Sequence, residues 1–128
     1  MNRKEARELL MKCLFQMEAQ NEFTEDNASL LLDREQTGNQ DQYIRLIIKN
    51  LCENREEIDN VINENSRGWP VSRMPKADLA ITRLAVCEIL FAGDIPKPVS
   101  INEAVELAKK YGTDQSAGFI NAVLKNVG

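Results

Sequence analysis

Basic, apolar and aromatic side chains follow one another at helical spacing near the N-terminus. Lys4, Arg7, Met11 and Phe15 are three or four residues apart, so on a helix they lie on one side, opposite an apolar stripe centred near Cys13. A phenylalanine outside the core is the kind of side chain that anchors a protein partner, and the neighbouring bases can reach phosphates. The alternative is that a second element of the same domain covers this face.

A second set of lysines, aromatic and polar residues lies near the C-terminus: Lys109, Lys110, Tyr111, Gln115, Ser116 and Phe119. Phe119 is predicted about 90° from the apolar stripe of the last helix, at an edge where a base can stack. The free backbone N–H groups that begin this helix favour an anion. Lysines interleaved with aromatics suit single-stranded RNA. The alternative is that the lysines complement a helix dipole and the aromatics pack at the core rim.

Residues suited to catalysis or metal binding are scarce. The chain has no histidine, which excludes His-based triads and His-ligated zinc. Its three cysteines are far apart in apolar-periodic runs, so they are interpreted as buried, reduced thiols. Glu88 sits among apolar neighbours and needs a partner, for which Arg83 or Arg73 is expected. The sequence therefore predicts no catalytic residue, no metal site and no cofactor.

The net charge of −4 is unevenly distributed. Residues 1–23 hold four basic and four acidic side chains, residues 24–94 hold eight and thirteen, and residues 95–128 hold four and three. The acidic excess therefore lies in the middle of the sequence, and the two ends can together present a basic surface. An acidic whole chain does not exclude an anionic partner.

The composition is that of a globular protein, with 43% hydrophobic and 28% charged residues among 128. Helical spacing dominates, so the expected fold class is all-α, with about six helices in a single domain over residues 1–128. The most apolar stretch, Leu79–Ala92, contains two charges and is shorter than the ~20 residues that a bilayer requires. The N-terminus resembles no secretory signal. We therefore expect no membrane partner and a cytoplasmic location.

The first half of the chain is predicted to form three helices. The first begins near Asn2, with Asn2 and Glu5 placed as a capping box. The second begins at Thr24, and the polar stretch Glu35–Gln40 reads as a loop. Apolar residues from Ile44 to Ile62 then indicate a long third helix, which a glycine and a proline close a few residues later.

The second half is predicted to form three more helices. Apolar residues point nearly all round the wheel between Met74 and Ala92, as in a central, buried helix. Gly93–Pro98 reads as a rigid turn. Ser100–Glu103 has the pattern of a capping box that opens the fifth helix, which ends at Gly112. The last helix is expected over Ser116–Val127.

The C-terminal third closely resembles the NusB family of bacterial transcription antitermination factors. The residues that carry the resemblance are Ile81–Leu90, Asp94–Pro96, Ser100–Lys109, Tyr111–Gly112, Ser116, Phe119–Asn121 and Val123–Leu124. The resemblance is dense over residues 79–127 and loose over residues 20–70. It reaches the first helix through Arg3, Lys4, Ala6–Arg7 and Leu14–Phe15. It implies an all-helical fold of two packed three-helix bundles.

The resemblance also implies partners. A NusB-like protein pairs with a small ribosomal subunit protein, called NusE in this role, and binds the boxA element of nascent RNA, including rRNA, in the transcription elongation complex. The implied RNA-binding residues of this chain are Arg3, Lys4, Arg7, Lys110, Tyr111, Ser116 and Phe119. We add Gln115, which begins the last helix beside Ser116. The implied protein-binding residues are Phe15 and Asp78, and the helical spacing of the first helix adds Met11 to them. Self-association into a homodimer is an alternative use of the face formed by Met11 and Phe15.

Two departures from the family pattern bear on RNA affinity. Glu5 interrupts the basic run of Arg3, Lys4 and Arg7, which weakens attraction to phosphate, whereas Gln115 replaces a common acidic residue, which strengthens it. The rival hypothesis rests on the first departure: a helical adaptor that binds protein and has lost its own RNA affinity with the thinned N-terminal bases. The same fold also occurs as an accessory domain of rRNA cytosine methyltransferases. Because 128 residues leave no space for that catalytic domain, a stand-alone factor is the expectation.

Overall fold

The structure is a computed structural model that describes residues 1–32 and 37–128, and every regular element in these residues is helical. Six α-helices follow one another: α1 (Arg3–Gln20), α2 (Glu25–Leu32), α3 (Asp41–Asn65), α4 (Lys76–Phe91), α5 (Lys97–Tyr111) and α6 (Ser116–Leu124). Short 3-10 turns lie at Gly38–Gln40 and Val71–Arg73. The all-α prediction with about six helices is confirmed. Of the predicted loop Glu35–Gln40, Glu35 and Gln36 lie outside the described residues.

The starts of the first two helices follow the predicted capping chemistry. Asn2 Oδ1 accepts a hydrogen bond from the Glu5 N–H at 2.8 Å, and Glu5 Oε1 accepts one from the Asn2 N–H at 2.8 Å. This reciprocal pair is the capping box that satisfies two otherwise unpaired N–H groups. At α2, the Thr24 hydroxyl oxygen accepts from the Asn27 N–H at 3.1 Å. Both caps are local in sequence, which is why spacing alone predicts them.

The central element is α4, in which every residue from Asp78 to Glu88 is buried. It packs against α1, α3, α5 and α6. The helices α1, α2 and α3 form one group of three, and α4, α5 and α6 form the second, joined along α4. A helix surrounded on all sides carries apolar residues round its whole circumference, as predicted for Met74–Ala92, but the buried part of α4 also carries three charged residues, Asp78, Arg83 and Glu88. These charges are therefore buried as well.

The start of α5 corrects one prediction. The helix begins at Lys97, three residues before the predicted capping box Ser100–Glu103. Pro96 precedes it and Pro98 lies in its first turn, where the missing N–H costs nothing and the fixed φ suits the helix. Ser100 is therefore inside α5, and its buried hydroxyl donates to Glu88 Oε1 at 2.8 Å. The prediction was wrong because proline can begin a helix by itself.

Two further details distinguish the long and the last helix from their predictions. In α3 the backbone of Asn54 is non-helical, with φ −124° and ψ 21°, so the helix is kinked there. The last helix ends at Leu124, three residues short of the predicted Val127, although Val127 is still buried. No helix in the described part of the chain is long and apolar enough to cross a membrane.

Candidate nucleic-acid and protein interfaces

A groove of about 370 Å³ runs between the first half of α1 and the second half of α5. We call it the α1–α5 groove, and its lining residues are Lys4, Arg7, Glu8, Glu103, Glu106, Leu107, Lys109 and Lys110. It brings together bases from the two ends of the sequence, as the charge distribution suggested. It also contains three glutamates, whose position the sequence reasoning did not consider.

The lysines of the α1–α5 groove are held by its glutamates. Lys4 Nζ lies 2.9 Å from both carboxylate oxygens of Glu103, which joins α1 to α5. Lys110 Nζ donates to Glu8 Oε1 at 2.6 Å, and the Tyr111 hydroxyl donates to the same oxygen. The two lysine side chains remain 68% and 61% exposed. Their ammonium groups therefore stand at the rim, each beside a carboxylate that lies deeper.

Arg7 does not lie on an exposed face. It is 5% exposed, and its Nε and Nη2 donate to Glu88 Oε2 and Oε1 at 2.8 and 3.1 Å. The alternative that another element covers this side of α1 is right for Arg7, since α4 and α5 both reach it. A guanidinium with no free surface is a structural ion-pair partner, which removes Arg7 from the side chains able to meet RNA directly.

Glu88 is the centre of a buried polar network that joins four helices. Besides Arg7 from α1, it accepts hydrogen bonds from the hydroxyls of Tyr43 in α3 and Ser100 in α5. The prediction that Glu88 needs a charged partner is confirmed, but the partner is Arg7 and not Arg83 or Arg73. The helix wheel of α4 shows neighbours along one helix, whereas this pair is formed across 81 residues of sequence.

The network shifts the protonation equilibria of its members. Burial alone would lower the pKa of Arg7, but the hydrogen bond to Glu88 and its negative charge outweigh burial and raise that pKa. Burial, followed by the charge and hydrogen bond of Glu88, raises the pKa of Tyr43 far above its ordinary value. Arg7 therefore stays charged and Tyr43 stays protonated, as donors to one carboxylate.

Arg3 has a third environment. Its guanidinium lies over the Tyr43 ring, 4.0 Å from the centroid, and its Nε donates to Gln40 Oε1 at 2.6 Å. This stacking is a cation–π contact on a ring that Glu88 orients from the other side. Arg3 is half-buried, so one part of its side chain still faces solvent. It lies beside the N-terminus of α1 but does not line the α1–α5 groove.

The predicted protein-binding face is only partly at the surface. Phe15 is 41% exposed, in agreement with its position opposite the core stripe. Met11 and Asp78 are 3% and 5% exposed, so the expectation that Met11 shares an exposed face with Phe15 is wrong. The reason is that the neighbouring helices cover a wider arc of the surface of α1 than its apolar periodicity predicts. Phe15 therefore remains the exposed apolar side chain of this set.

Phe119 lies apart from the α1–α5 groove, in a pocket of about 240 Å³ between α6 and the end of α3. We call it the Phe119 pocket, and its lining residues are Asn65, Ser66, Arg67, Phe119, Ala122, Val123, Lys125 and Asn126. Trp69, which follows Arg67 and Gly68 in the sequence, is 47% exposed. Sequence reasoning missed Arg67 and Lys125 at this pocket. The available signal was a tryptophan with an arginine in a Gly/Pro-containing turn.

The turn between α5 and α6 explains Gln115 and Ser116. Ser116 is 2% exposed, and its Oγ accepts from the Thr113 N–H at 2.9 Å. A Cβ at Gly112 would lie 2.5 Å from Ser116 Oγ, so the glycine allows this serine to pack under the turn. Ser116 thus shapes the turn from inside and has no surface for RNA. Gln115 precedes α6 and is exposed.

Comparison with known proteins places the chain in a family. The model of the NusB family matches residues 4–128. The transcription antitermination protein NusB of Agathobacter rectalis is 48% identical over 127 residues, covering 97% of this chain and 97% of that protein. The NusB of Acetivibrio thermocellus is 43% identical over 128 residues, covering 99% and 88%.

The solved structures agree. The chain superposes on T. maritima NusB with a TM-score of 0.89 and 34% identity, covering 99% of this chain and 90% of that one. It also shares its fold with a structure of antitermination factors NusB and NusE in complex with dsRNA. The TM-score is 0.84, with 23% identity, covering 98% of this chain and 94% of the other. The chain belongs to the NusB family.

Proposed function

We propose that this protein is an RNA-binding transcription antitermination factor that pairs with ribosomal protein NusE and binds boxA RNA in the elongation complex. Its relatives are named transcription antitermination proteins. A structure with the same fold contains NusB, NusE and double-stranded RNA. The function is binding without catalysis, and a protein that meets nascent bacterial transcripts works in the cytoplasm.

The observation that carries RNA binding is the Phe119 pocket. It combines an aromatic ring with Arg67 and Lys125, and with the amide groups of Asn65 and Asn126. Aromatic rings stack on unpaired bases, cations attract the backbone, and amides hydrogen-bond to base edges. At the rim of the α1–α5 groove, the exposed ammonium groups of Lys4 and Lys110 are further donors that a phosphate can reach, although each is paired with a carboxylate.

The experiment is a titration of boxA RNA with the protein alone and with the NusE complex, each at two salt concentrations. If several phosphates are held, log K falls with log salt at a slope of about −0.7 per phosphate for a single strand. An RNA of the same length and scrambled sequence is the control. Equal affinity for the two RNAs in the NusE complex would contradict boxA recognition.

The second candidate is the adaptor that binds NusE and has no RNA affinity of its own. A specific observation favours it: Lys4, Arg7 and Lys110 are each paired with a carboxylate in the free protein. In this case NusE binds normally, and boxA RNA binds neither the protein alone nor the complex. Sedimentation velocity of the same samples distinguishes a NusE heterodimer from a homodimer formed by this chain.

Replacing Phe119 tests the pocket directly. Phe119→Ala should cost ~1–3 kcal/mol of RNA affinity, the usual value of one base stacked on an aromatic ring, and should leave NusE affinity unchanged. Phe119→Tyr keeps the ring and is the matched control. RNA titration by fluorescence anisotropy measures both variants. If Phe119→Ala binds boxA RNA as well as Phe119→Tyr does, the pocket holds no base.

A further inference from the structure

The two glutamates that hold lysines across the α1–α5 groove have no role in the function as stated so far. Glu103 in α5 holds Lys4 of α1, and Glu8 in α1 holds Lys110 of α5. Both contacts cross from one helix to the other, so neither is an incidental pair within one helical turn. Each glutamate also has a second donor nearby, since Arg7 Nη1 lies 4.0 Å from Glu103 and the Tyr111 hydroxyl bonds to Glu8.

Burial is unequal within each pair. The carboxylates of Glu103 and Glu8 are 20% and 26% exposed, whereas the lysines they hold are 68% and 61% exposed. A phosphate that approaches either ammonium group from solvent therefore meets a fixed negative charge about 3 Å behind it. The carboxylate competes for the same donor and repels the phosphate.

The charges that line the groove balance. Lys4, Lys109 and Lys110 stand against Glu8, Glu103 and Glu106, and the charge of Arg7 is already matched by Glu88. A groove with three positive and three negative side chains cannot attract RNA by net charge. Any strand that binds beside it must gain its free energy from other contacts, such as those of bases in the Phe119 pocket.

We propose that Glu8 and Glu103 are specificity-determining residues: they compete with RNA phosphates for Lys110 and Lys4, so that RNA held only through its backbone binds weakly. This role rests on the proposed RNA-binding function, since it concerns the preference for boxA RNA over RNA of other sequence. Such repulsive elements discriminate by weakening the wrong partner more than the right one. Sequence-independent attraction to phosphates is the term they reduce.

The experiment compares Glu8→Gln and Glu103→Gln with the unmodified chain on boxA RNA and on a scrambled RNA of equal length. Glutamine keeps an acceptor for Tyr111 and the shape of the side chain, so the fold is retained, and circular dichroism verifies this. Each variant should bind scrambled RNA about two- to fivefold more tightly, the range that corresponds to one exposed ion pair. The salt slope should steepen by about 0.7, one more phosphate on a single strand. The preference for boxA over scrambled RNA should fall.

Glu57→Gln is the matched control, because it makes the same change of charge at an exposed position of α3. If it strengthens binding as much as the groove variants do, net charge alone explains the gain and the proposal is overturned. A double-mutant cycle adds a second criterion. In a Lys4→Gln background, Glu103→Gln should lose most of its effect, because the donor that it frees is gone and only the direct repulsion between carboxylate and phosphate remains to be relieved. A full gain in that background overturns the proposal too.

The two hypotheses fail in different ways. If boxA RNA does not bind the unmodified chain in complex with NusE, the proposed function fails. Glu8→Gln and Glu103→Gln then still report on the groove: a gain in RNA binding with a steeper salt slope supports competition by the carboxylates. Unchanged affinity for scrambled RNA in both groove variants overturns it, whatever the unmodified chain does.

Discussion

Three basic residues within the first helical turns have three different environments. Lys4 stands at the rim of the α1–α5 groove, Arg3 is stacked on Tyr43, and Arg7 is buried against Glu88. Their positions round α1 determine this, since each step of 100° brings a residue closer to or further from α4 and α5. A run of bases in a sequence is therefore no measure of how many of them a phosphate can reach.

Phe15 offers the clearest test of a single side chain. At 41% exposure, Phe15→Ala should change the free energy of unfolding by no more than about 1 kcal/mol. It should weaken NusE binding by about 2 kcal/mol or more if the ring is buried on association. Leu30→Ala, at a residue of α2 that is 76% exposed, is the control. Calorimetric titration that finds equal NusE affinity for the two variants would refute the assignment.

At the scale of elements, one buried and one partly buried ion cluster hold the central helix. Towards its C-terminal end, Glu88 of α4 binds Arg7 of α1. Near its middle, Arg83 donates to Asp59 of α3 at 2.8 and 2.9 Å and to Glu18 of α1 at 2.7 Å. Each cluster spans three or more helices and satisfies its charges, which is the condition under which buried charge is tolerated. Together they set the position of α1 along α4.

Removal of one partner should show how strongly the first cluster constrains α1. Arg7→Met leaves Glu88 buried without a counter-charge, a loss of about 3–5 kcal/mol of stability. Arg7→Met with Glu88→Gln keeps an acceptor for Tyr43 and Ser100 and should recover more than half of that loss. Lys4→Met, which breaks an exposed pair, should cost less than about 1 kcal/mol. Denaturant unfolding measures all three. A loss of less than about 1 kcal/mol for Arg7→Met would contradict a buried ion pair between Arg7 and Glu88.

The second cluster, formed by Arg83, Asp59 and Glu18, makes the free energy of unfolding depend on pH in the acidic range. Burial would raise the pKa of Glu18, but its hydrogen bonds to Arg83 and Lys76 outweigh burial and lower that pKa below its ordinary value of 4.5. A lowered pKa in the folded state adds stability that is complete above about pH 5 and is lost as pH falls through the folded pKa. Glu18→Gln should therefore flatten the decline of stability between about pH 5 and pH 3. Thermal unfolding at several pH values measures this, and an unchanged decline would contradict it.

At the scale of the whole molecule, capping residues and apolar spacing predicted the helices. The same local signals could not predict contacts between residues far apart in the sequence. The caps at Asn2 and Thr24 and the buried character of α4 follow from spacing within one element. The partner of Glu88 and the burial of Met11 do not, because they depend on which helices approach from elsewhere in the chain. The same limit applies to the candidate site: residue types indicated bases and aromatics, but not the glutamates facing them.

The three thiols report on the opening of the whole fold. Burial, with a smaller contribution from Cys52, raises the pKa of Cys13 to about 11, and burial followed by nearby negative charge raises the pKa of Cys52 to about 11. For Cys87 burial and then Glu88 raise it to about 12. At pH 8 roughly one thiol in a thousand is then ionised at a pKa of 11, and only the thiolate attacks a disulfide reagent. Cys13 and Cys87 are also buried, while Cys52 is half-buried.

We therefore expect the native protein to react slowly with Ellman's reagent at pH 8, with Cys52 first, and to release three equivalents at once in denaturant. Arg7→Met should accelerate the two slower reactions, because a less stable fold opens more often and exposes Cys13 and Cys87. Absorbance at 412 nm follows the release of the reagent's thiolate. Three fast equivalents from the native chain would mean that the helices around α4 separate far more readily than their packing and ion pairs allow.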